Sequence, residues 1–157
     1  MKILAYPKFY FCENKYKLVE DQSVALISIL NYDDVEKVIE DIPGKSITLF
    51  FDDIGHFDKI PDDLLNIYDK LILFNRDHAK KIIEFQKSLS DKIEYIIIHC
   101  TAGVSRSGAI ATFLQDIYHE NDEDNEWFSK NNRHIIPNKH VLKVLNNYIN
   151  NIGDNLI

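Results

Sequence analysis

Short, almost entirely apolar runs alternate along the chain with longer segments whose apolar residues recur at helical spacing. Three runs rich in β-branched residues predict buried strands, at Val24–Leu30, Ser46–Phe51 and Ile93–Ile98. A shorter run, Lys2–Ala5, predicts an edge strand. Strands that alternate with helices predict an α/β fold, a three-layer sandwich with a central, mostly parallel sheet flanked by helices.

Helical periodicity is clearest in the second half of the chain. Apolar residues at spacings of three and four predict helices at Arg76–Leu89, Ser107–His119 and Pro137–Asn150. A short helix is also predicted at Val35–Glu40, after a capping aspartate and before a Pro-Gly pair.

Two segments are less regular. Residues 55–74 combine a helix-start signal at Pro61 with the strand-like sequence LILF, so they give no single prediction. The acidic patch Glu120–Glu126 predicts a solvated loop.

Composition narrows the class of protein. The chain has 157 residues, 45% hydrophobic and 27% charged, which fits one domain that spans residues 1–157. Its net charge of −7 disfavours nucleic acids and anionic membranes, because both require clustered cations. No apolar run is long enough to span a bilayer, and the two cysteines fit a reducing compartment. We therefore expect a soluble, cytoplasmic, monomeric protein that needs no cofactor or metal.

The most informative segment is IIIHCTAGVSRSGAIATFL, at residues 96–114. It places Cys100 at the end of a buried strand and Arg106 at the start of a helix, with five residues between them. Backbone N–H groups of such a loop, together with the helix N-terminus, form a concave anion site. Gly103 supplies a position that tolerates positive φ, and Arg106 supplies a planar fork for phosphate oxygens. The segment therefore predicts a thiolate that faces a bound phosphate.

This segment resembles the signature of the cysteine-dependent protein tyrosine phosphatases, in which His-Cys, five residues and Arg-Ser/Thr follow one another. The matching residues are His99, Cys100, the loop Thr101–Ser105, Arg106 and Ser107. The sequence is similar above all to small dual-specificity-like members, including compact bacterial ones. The tight match is confined to residues 96–114 within a looser resemblance that covers about residues 24–150.

The resemblance implies a role for each matched residue. Cys100 would attack the phosphoryl group to give a phosphocysteine, Arg106 would hold the equatorial oxygens, and Ser107 would stabilise the thiolate as it leaves. The backbone of the loop would bind phosphate, and His99 would orient it. The phosphate-binding residues are then Thr101, Ala102, Gly103, Val104, Ser105 and Arg106.

The resemblance also implies an upstream aspartic acid that protonates the leaving oxygen. The sequence FDDI at residues 51–54 resembles the acid loop of the compact bacterial members, and Asp53 is the preferred candidate, with Asp52 second. Adjacent side chains of an extended chain point to opposite sides, so one of the two reaches the site. Other candidates for the acid lie in the following stretch: Asp58, Asp62, Asp63 and Asp69.

These features predict hydrolysis of phosphotyrosine in a phosphorylated protein or peptide, with phosphoserine and phosphothreonine as further substrates. The loop contains no lysine, unlike that of many phosphoinositide phosphatases, which favours a phosphoprotein over an inositol lipid. Two alternatives remain open. One is a catalytically weak phosphate-binding pseudophosphatase. The other is a sulfurtransferase or arsenate reductase that uses the loop cysteine, the latter with Cys12 as its second thiol.

Overall fold

A four-stranded parallel sheet forms the centre of the protein, in a computed structural model that describes residues 1–19, 23–31, 45–55, 71–119 and 121–153. Its strand order is β1-β4-β2-β3, so β1 and β3 are the edges among the described strands. All three pairings are parallel, which brings the carboxyl ends of the strands to one side of the sheet. The strands are β1 (Lys2–Pro7), β2 (Val24–Leu30), β3 (Ser46–Phe50) and β4 (Tyr95–Cys100).

Helices cover both faces of this sheet and give the three-layer arrangement. Helix α1 packs on one face, whereas α2, α3 and α5 pack together on the other, and α4 contacts the edge strand β1. The described helices are α1 (Lys8–Val19), α2 (Arg76–Ser88), α3 (Arg106–Tyr118), α4 (Asp122–Asn131) and α5 (Lys139–Gly153).

The alternation of side chains along the strands divides the core in two. Every residue of β2 is buried, as expected for a central parallel strand. Ile27 and Ile29 belong to the larger cluster beneath α2, α3 and α5. Leu26 and Ile97 point to the opposite face, where they pack with Phe11 of α1. The two clusters together hold the ends of β2 and β4 in place.

The predicted fold class is confirmed, and so are the strands and the three long helices. β2 has the predicted bounds, and β1 continues two residues further than predicted. The predicted helix Val35–Glu40 and residues 56–70 lie outside the described residues. The strand-like residues 71–74 form neither a strand nor a helix. Instead, Asp52 pairs with Ile72 through its backbone N–H (2.8 Å) and its carboxylate (2.7 Å).

The loop predicted for the acidic patch is wrong, because α4 begins at Asp122. The side chain of Asn121 caps the helix by accepting a hydrogen bond from the Asp124 N–H at 3.0 Å. Three acidic residues in the first turn and Lys130 in the last turn complement the helix dipole. No residue of the helix is fully buried, although Phe128 packs against the core, so its apolar residues give no periodic signal. Glu120 lies outside the described residues.

Helix α1 was not predicted at all. Its sequence, KFYFCENKYKLV, mixes lysines and aromatic residues without a helical apolar period. Phe11 is buried, whereas Phe9 and Tyr10 are exposed. A single buried aromatic side chain attaches this part of the helix to the sheet, and one residue does not make a detectable pattern.

The edge strand β1 is completed by a side chain rather than by another strand. The amide of Asn132 donates to the Ile3 carbonyl at 2.9 Å, and its oxygen accepts from the Ala5 N–H at 2.9 Å. Asn132 is buried, so these bonds satisfy backbone groups that would otherwise be desolvated without partners.

We predict that Asn132→Ala lowers the free energy of unfolding by about 2–3 kcal/mol, because two buried backbone groups lose their partners. Asn131→Ala is the matched control: its exposed side chain makes one bond to the Trp127 carbonyl, and we expect a loss below about 0.5 kcal/mol. Urea unfolding measures both. Equal losses in the two variants would contradict the role assigned to Asn132.

Candidate active site

The segment Thr101–Ser105 connects the carboxyl end of β4 to the first residue of α3, and we call it the Cys100 loop. Cys100 is the last residue of β4 and is 1% exposed. Ligands of open α/β sheets bind beyond the carboxyl ends of the strands, where this loop lies.

Gly103 allows the loop to pack tightly against the end of β1. Its φ is +73°, and a Cβ at this position would lie 2.3 Å from the backbone nitrogen of Pro7. No other residue type fits both the positive φ and this close approach. The sequence predicts a glycine that tolerates positive φ at this position. The close contact with β1, which lies outside the Cys100 motif, adds a second reason why glycine is required.

The carbonyl groups of the loop are held outward by flanking segments. The Thr101 carbonyl accepts from the Lys8 N–H at 3.4 Å, and the carbonyls of Val104 and Ser105 each accept at 3.2 Å from backbone N–H groups of the segment before α5. No described residue accepts a hydrogen bond from the amides of residues 102–105. The start of α3 has no side-chain cap either. Backbone donors without an acceptor at the start of a helix are able to bind an anion, and these follow directly after Cys100 in the chain.

Two buried side chains meet at the base of this site. The sulfur of Cys100 lies 3.2 Å from the hydroxyl oxygen of Ser107, and either atom can be the donor. Ser107 is fully buried on the first turn of α3. A hydroxyl at this distance can donate to a thiolate and stabilise its charge.

Arg106 is folded into the protein and is 3% exposed. Its Nη1 donates to the Phe51 carbonyl at 2.8 Å and to the Asn31 side chain at 2.6 Å, and its Nη2 donates to the Thr101 hydroxyl at 2.9 Å. Its Nε is buried without a hydrogen-bond partner among the described residues. The guanidinium is therefore held by residues that follow β2 and β3, and two of its five N–H groups, on Nε and Nη2, have no acceptor among the described residues.

The two adjacent aspartates have different surroundings. Asp52 binds the backbone of Ile72, as described above. Asp53 instead faces the Cys100 loop, where its Oδ1 accepts from the Ser105 hydroxyl at 2.6 Å and from the Asn138 side chain at 2.9 Å. The geometry brings Asp53 and not Asp52 to the loop. The other candidates, Asp58, Asp62, Asp63 and Asp69, lie outside the described residues.

The sequence places Asn138 only at the start of the predicted helix Pro137–Asn150. Its Oδ1 accepts from the N–H groups of His140 and Val141 and caps α5, while its amide nitrogen donates to Asp53 and to the Ile54 carbonyl. One buried side chain thus links the start of α5 to the candidate acid. The Pro-Asn pair before an apolar helix signalled the cap, but nothing local indicated the bond to Asp53.

No protein-family model matches the chain, and no curated protein matches its sequence. Solved structures do match. PTPMT1 in complex with PI(5)P aligns with a TM-score of 0.55 and 15% identity, over 99% of this chain and 95% of that one. The PTP-2 phosphatase of Cydia pomonella aligns with a TM-score of 0.53 and 13% identity, over 94% and 85%. The human tyrosine phosphatase-like serine/threonine/tyrosine-interacting protein aligns at 0.50 and 12%, over 96% and 92%.

The chain has the fold of the cysteine-dependent tyrosine phosphatases. The alignments cover nearly all of each partner, so the likeness extends to the whole domain and not to the loop alone.

His99 occupies the buried position before Cys100 in this phosphatase-like fold. Its Nε2 lies 2.9 Å from the Ser28 hydroxyl on β2, and its ring stacks on Phe11 at 4.6 Å. Nδ1 is buried without a partner among the described residues. Burial, reinforced by the positive charge of Lys8, lowers the pKa of His99 to about 4, so the ring is neutral at pH 7. Its described contacts hold β4 to β2 and to α1.

The cysteines, possible metal ligands and helix lengths of the described residues complete the description of the site. The described cysteines are free, with Cys12 exposed on α1. Within the described ranges, no three His, Cys, Asp or Glu residues are grouped so as to bind a metal, and no helix has the length and hydropathy of a membrane span.

We predict that His99 makes the protein less stable at acidic pH. The folded-state pKa is about 4 and the unfolded value is 6.5. The native state therefore binds fewer protons, and stability is lost as the pH falls from 6.5 towards 4. Between about pH 7 and pH 5, the wild type should lose about 2 kcal/mol more than His99→Gln, as measured by urea unfolding. The same pH dependence in both proteins would refute this.

Proposed function

We propose that the chain is a single phosphatase domain, residues 1–157, which hydrolyses phosphotyrosine in proteins through a phosphocysteine on Cys100. We propose that phosphoserine and phosphothreonine are further substrates of the same site. One observation supports it above all others: the loop between the buried Cys100 and α3 has amides without an acceptor among the described residues, and the start of α3 has no side-chain cap. A site of this kind attracts an anion and holds it against a nucleophile.

In the first step, the Cys100 thiolate attacks phosphorus and the bond from phosphorus to the leaving oxygen breaks. The loop amides and Arg106 bind the three equatorial oxygens, and the unpaired Nε of Arg106 is a donor for one of them. The leaving oxygen takes a proton from Asp53. Because Oδ1 of Asp53 already accepts two hydrogen bonds, we assign the proton to Oδ2.

In the second step, water attacks the phosphocysteine. The Asp53 carboxylate takes a proton from the water, the sulfur–phosphorus bond breaks, and Cys100 leaves as a thiolate. The Ser107 hydroxyl, 3.2 Å from the sulfur, donates a hydrogen bond to that thiolate. Phosphate then dissociates, and the enzyme returns to its starting state with all atoms and charges balanced.

We favour a phosphoprotein as substrate over a phosphoinositide. PTPMT1 was solved with PI(5)P, so lipid hydrolysis is compatible with this fold. Here, however, the Cys100 loop contains no basic side chain for a second inositol phosphate. The net charge of −7 also works against approach to an anionic bilayer.

The second candidate is a phosphate-binding module with little turnover. The hydrogen bonds of Arg106 favour it, because Nη1 and Nη2 are both bound by protein acceptors. One structural neighbour is itself named tyrosine phosphatase-like. Tight binding of phosphopeptides with turnover near background would support this alternative.

Hydrolysis of an aryl phosphate by purified wild type, Cys100→Ser and Cys12→Ser tests the proposal. We expect Cys100→Ser to lose about 10³–10⁶-fold in kcat, because the nucleophile is removed. Cys12→Ser is the matched control and should retain the wild-type rate, since Cys12 is exposed on α1. Equal rates in wild type and Cys100→Ser would end the phosphatase hypothesis.

Two further assays test the alternative reactions of the loop cysteine. Persulfide formation on Cys100 with thiosulfate would favour sulfur transfer, and loss of arsenate turnover in Cys12→Ser would favour arsenate reduction.

Asp53→Asn should reduce kcat most for substrates with basic leaving groups. Loss of a general acid costs about 10²–10⁴-fold for phenyl phosphate and less for 4-nitrophenyl phosphate, whose leaving group needs less protonation. Asp52→Asn serves as the comparison, because Asp52 binds Ile72. If Asp52→Asn shows the leaving-group dependence and Asp53→Asn does not, the assignment of the acid is wrong.

A further inference from the structure

A groove of about 550 Å³ runs beside the Cys100 loop along the start of α5, and we call it the α5 groove. Its volume lies in the range of ligand sites. Asn138, which donates a hydrogen bond to the candidate acid Asp53, lines this groove. The groove therefore adjoins the candidate active site. The residues that matter here are Asp53, Ser105, Ile136, Asn138, Lys139 and Lys143.

Two lysines give this groove a positive wall. Lys139 and Lys143 lie four residues apart on α5, so their side chains share one face of the helix. Both are exposed, and neither forms an ion pair within the part of the chain that the structure describes. Like charges at this spacing are mildly destabilising, and an acidic ligand between them relieves that repulsion. This local positive charge is unusual in a chain of net charge −7.

We propose that the α5 groove binds an acidic side chain, next to the phosphorylated residue, of a phosphopeptide substrate. This inference rests on the proposed function, because it places the phosphorylated residue in the Cys100 loop. The acidic side chain lies between Lys139 and Lys143, and the peptide crosses the wall formed by Asp53 and Ser105.

The shape of the groove favours a peptide over a lipid headgroup. It opens to solvent, and Ile136, which is 73% exposed, adds an apolar contact for the flanking chain. In an extended peptide, residues advance by about 3.3 Å each, so one or two residues from the phosphorylated position suffice to enter a neighbouring groove. The lysines lie on α5 and not in the Cys100 loop, so they discriminate between flanking sequences rather than bind the scissile phosphate.

The experiment compares two phosphotyrosine peptides that differ only in their flanking residues, which are glutamates in one and alanines in the other. The readout is the ratio of their kcat/KM values, with 4-nitrophenyl phosphate as a reference for intact chemistry. We expect the wild type to prefer the acidic peptide by about fivefold to tenfold at about 0.01 M ionic strength, and by less at about 0.15 M.

The double variant Lys139→Ala/Lys143→Ala should bring this ratio close to one. The matched control is Lys92→Ala/Lys130→Ala, which removes the same charge from exposed lysines on the turn before β4 and on α4. The control should keep the wild-type ratio. The inference is refuted if the wild type shows no preference, or if the preference survives the α5 substitutions. It is also refuted if those substitutions impair hydrolysis of phosphoinositide vesicles but not of the acidic peptide.

A measurement of phosphopeptide binding distinguishes failure of this inference from failure of the proposed function. If no aryl phosphate is hydrolysed, the phosphatase proposal fails, and anisotropy with labelled phosphopeptides still measures the groove. A several-fold preference for the acidic peptide that disappears in Lys139→Ala/Lys143→Ala would then support the α5 groove without catalysis. Equal binding of both peptides would refute it.

Discussion

The outward anchoring of the Cys100 loop is the constraint on which the rest of the site depends. Three carbonyl groups of the loop accept hydrogen bonds from backbone N–H groups that lie far away in sequence, one at the first residue of α1 and two in the segment before α5. A peptide unit that points its carbonyl outward points its N–H the other way, so these bonds create the inward array of donors. Gly103 makes the arrangement possible by letting the loop approach Pro7 with a positive φ. Without these neighbours, the same five residues would have no fixed curvature around Cys100.

The candidate acid belongs to the same set of contacts. Asn138 caps α5 and donates to Asp53, while Ser105 donates to the same carboxylate oxygen and its carbonyl accepts from the Asn138 N–H. The end of the Cys100 loop, the start of α5 and the residues after β3 are thereby joined through one asparagine. A shift of α5 would displace both the acid and the loop. Helix packing on one face of the sheet therefore controls the relative position of the proposed nucleophile and the proposed acid.

Features encoded by local pattern were predictable, and features created by long-range hydrogen bonds were not. The apolar runs predicted the strands, and the spacing from Cys100 to Arg106 predicted the loop. The sequence FDDI favoured Asp53 over Asp52, but the contacts that distinguish the two residues involve Ile72 and Asn138, which are distant in sequence. Asn132, which completes β1, also gave no signal. Helices α1 and α4 were missed because one side chain is buried among those described in α1 and none is buried in α4, and periodicity reports only burial.

The surroundings of Arg106 are unfavourable for stability and favour a role for this residue in ligand binding. Its guanidinium is almost fully buried, yet within the described residues its partners are two neutral side chains and one carbonyl group, with no carboxylate among them. A buried cation without a counter-charge is costly, and its unpaired Nε adds to the cost. Replacement by an apolar residue would remove this penalty, so the arginine is best explained by an anion that binds beside it. A phosphate dianion in the Cys100 loop provides both the missing charge and an acceptor for Nε, which ties the energetic anomaly of the fold to its proposed chemistry.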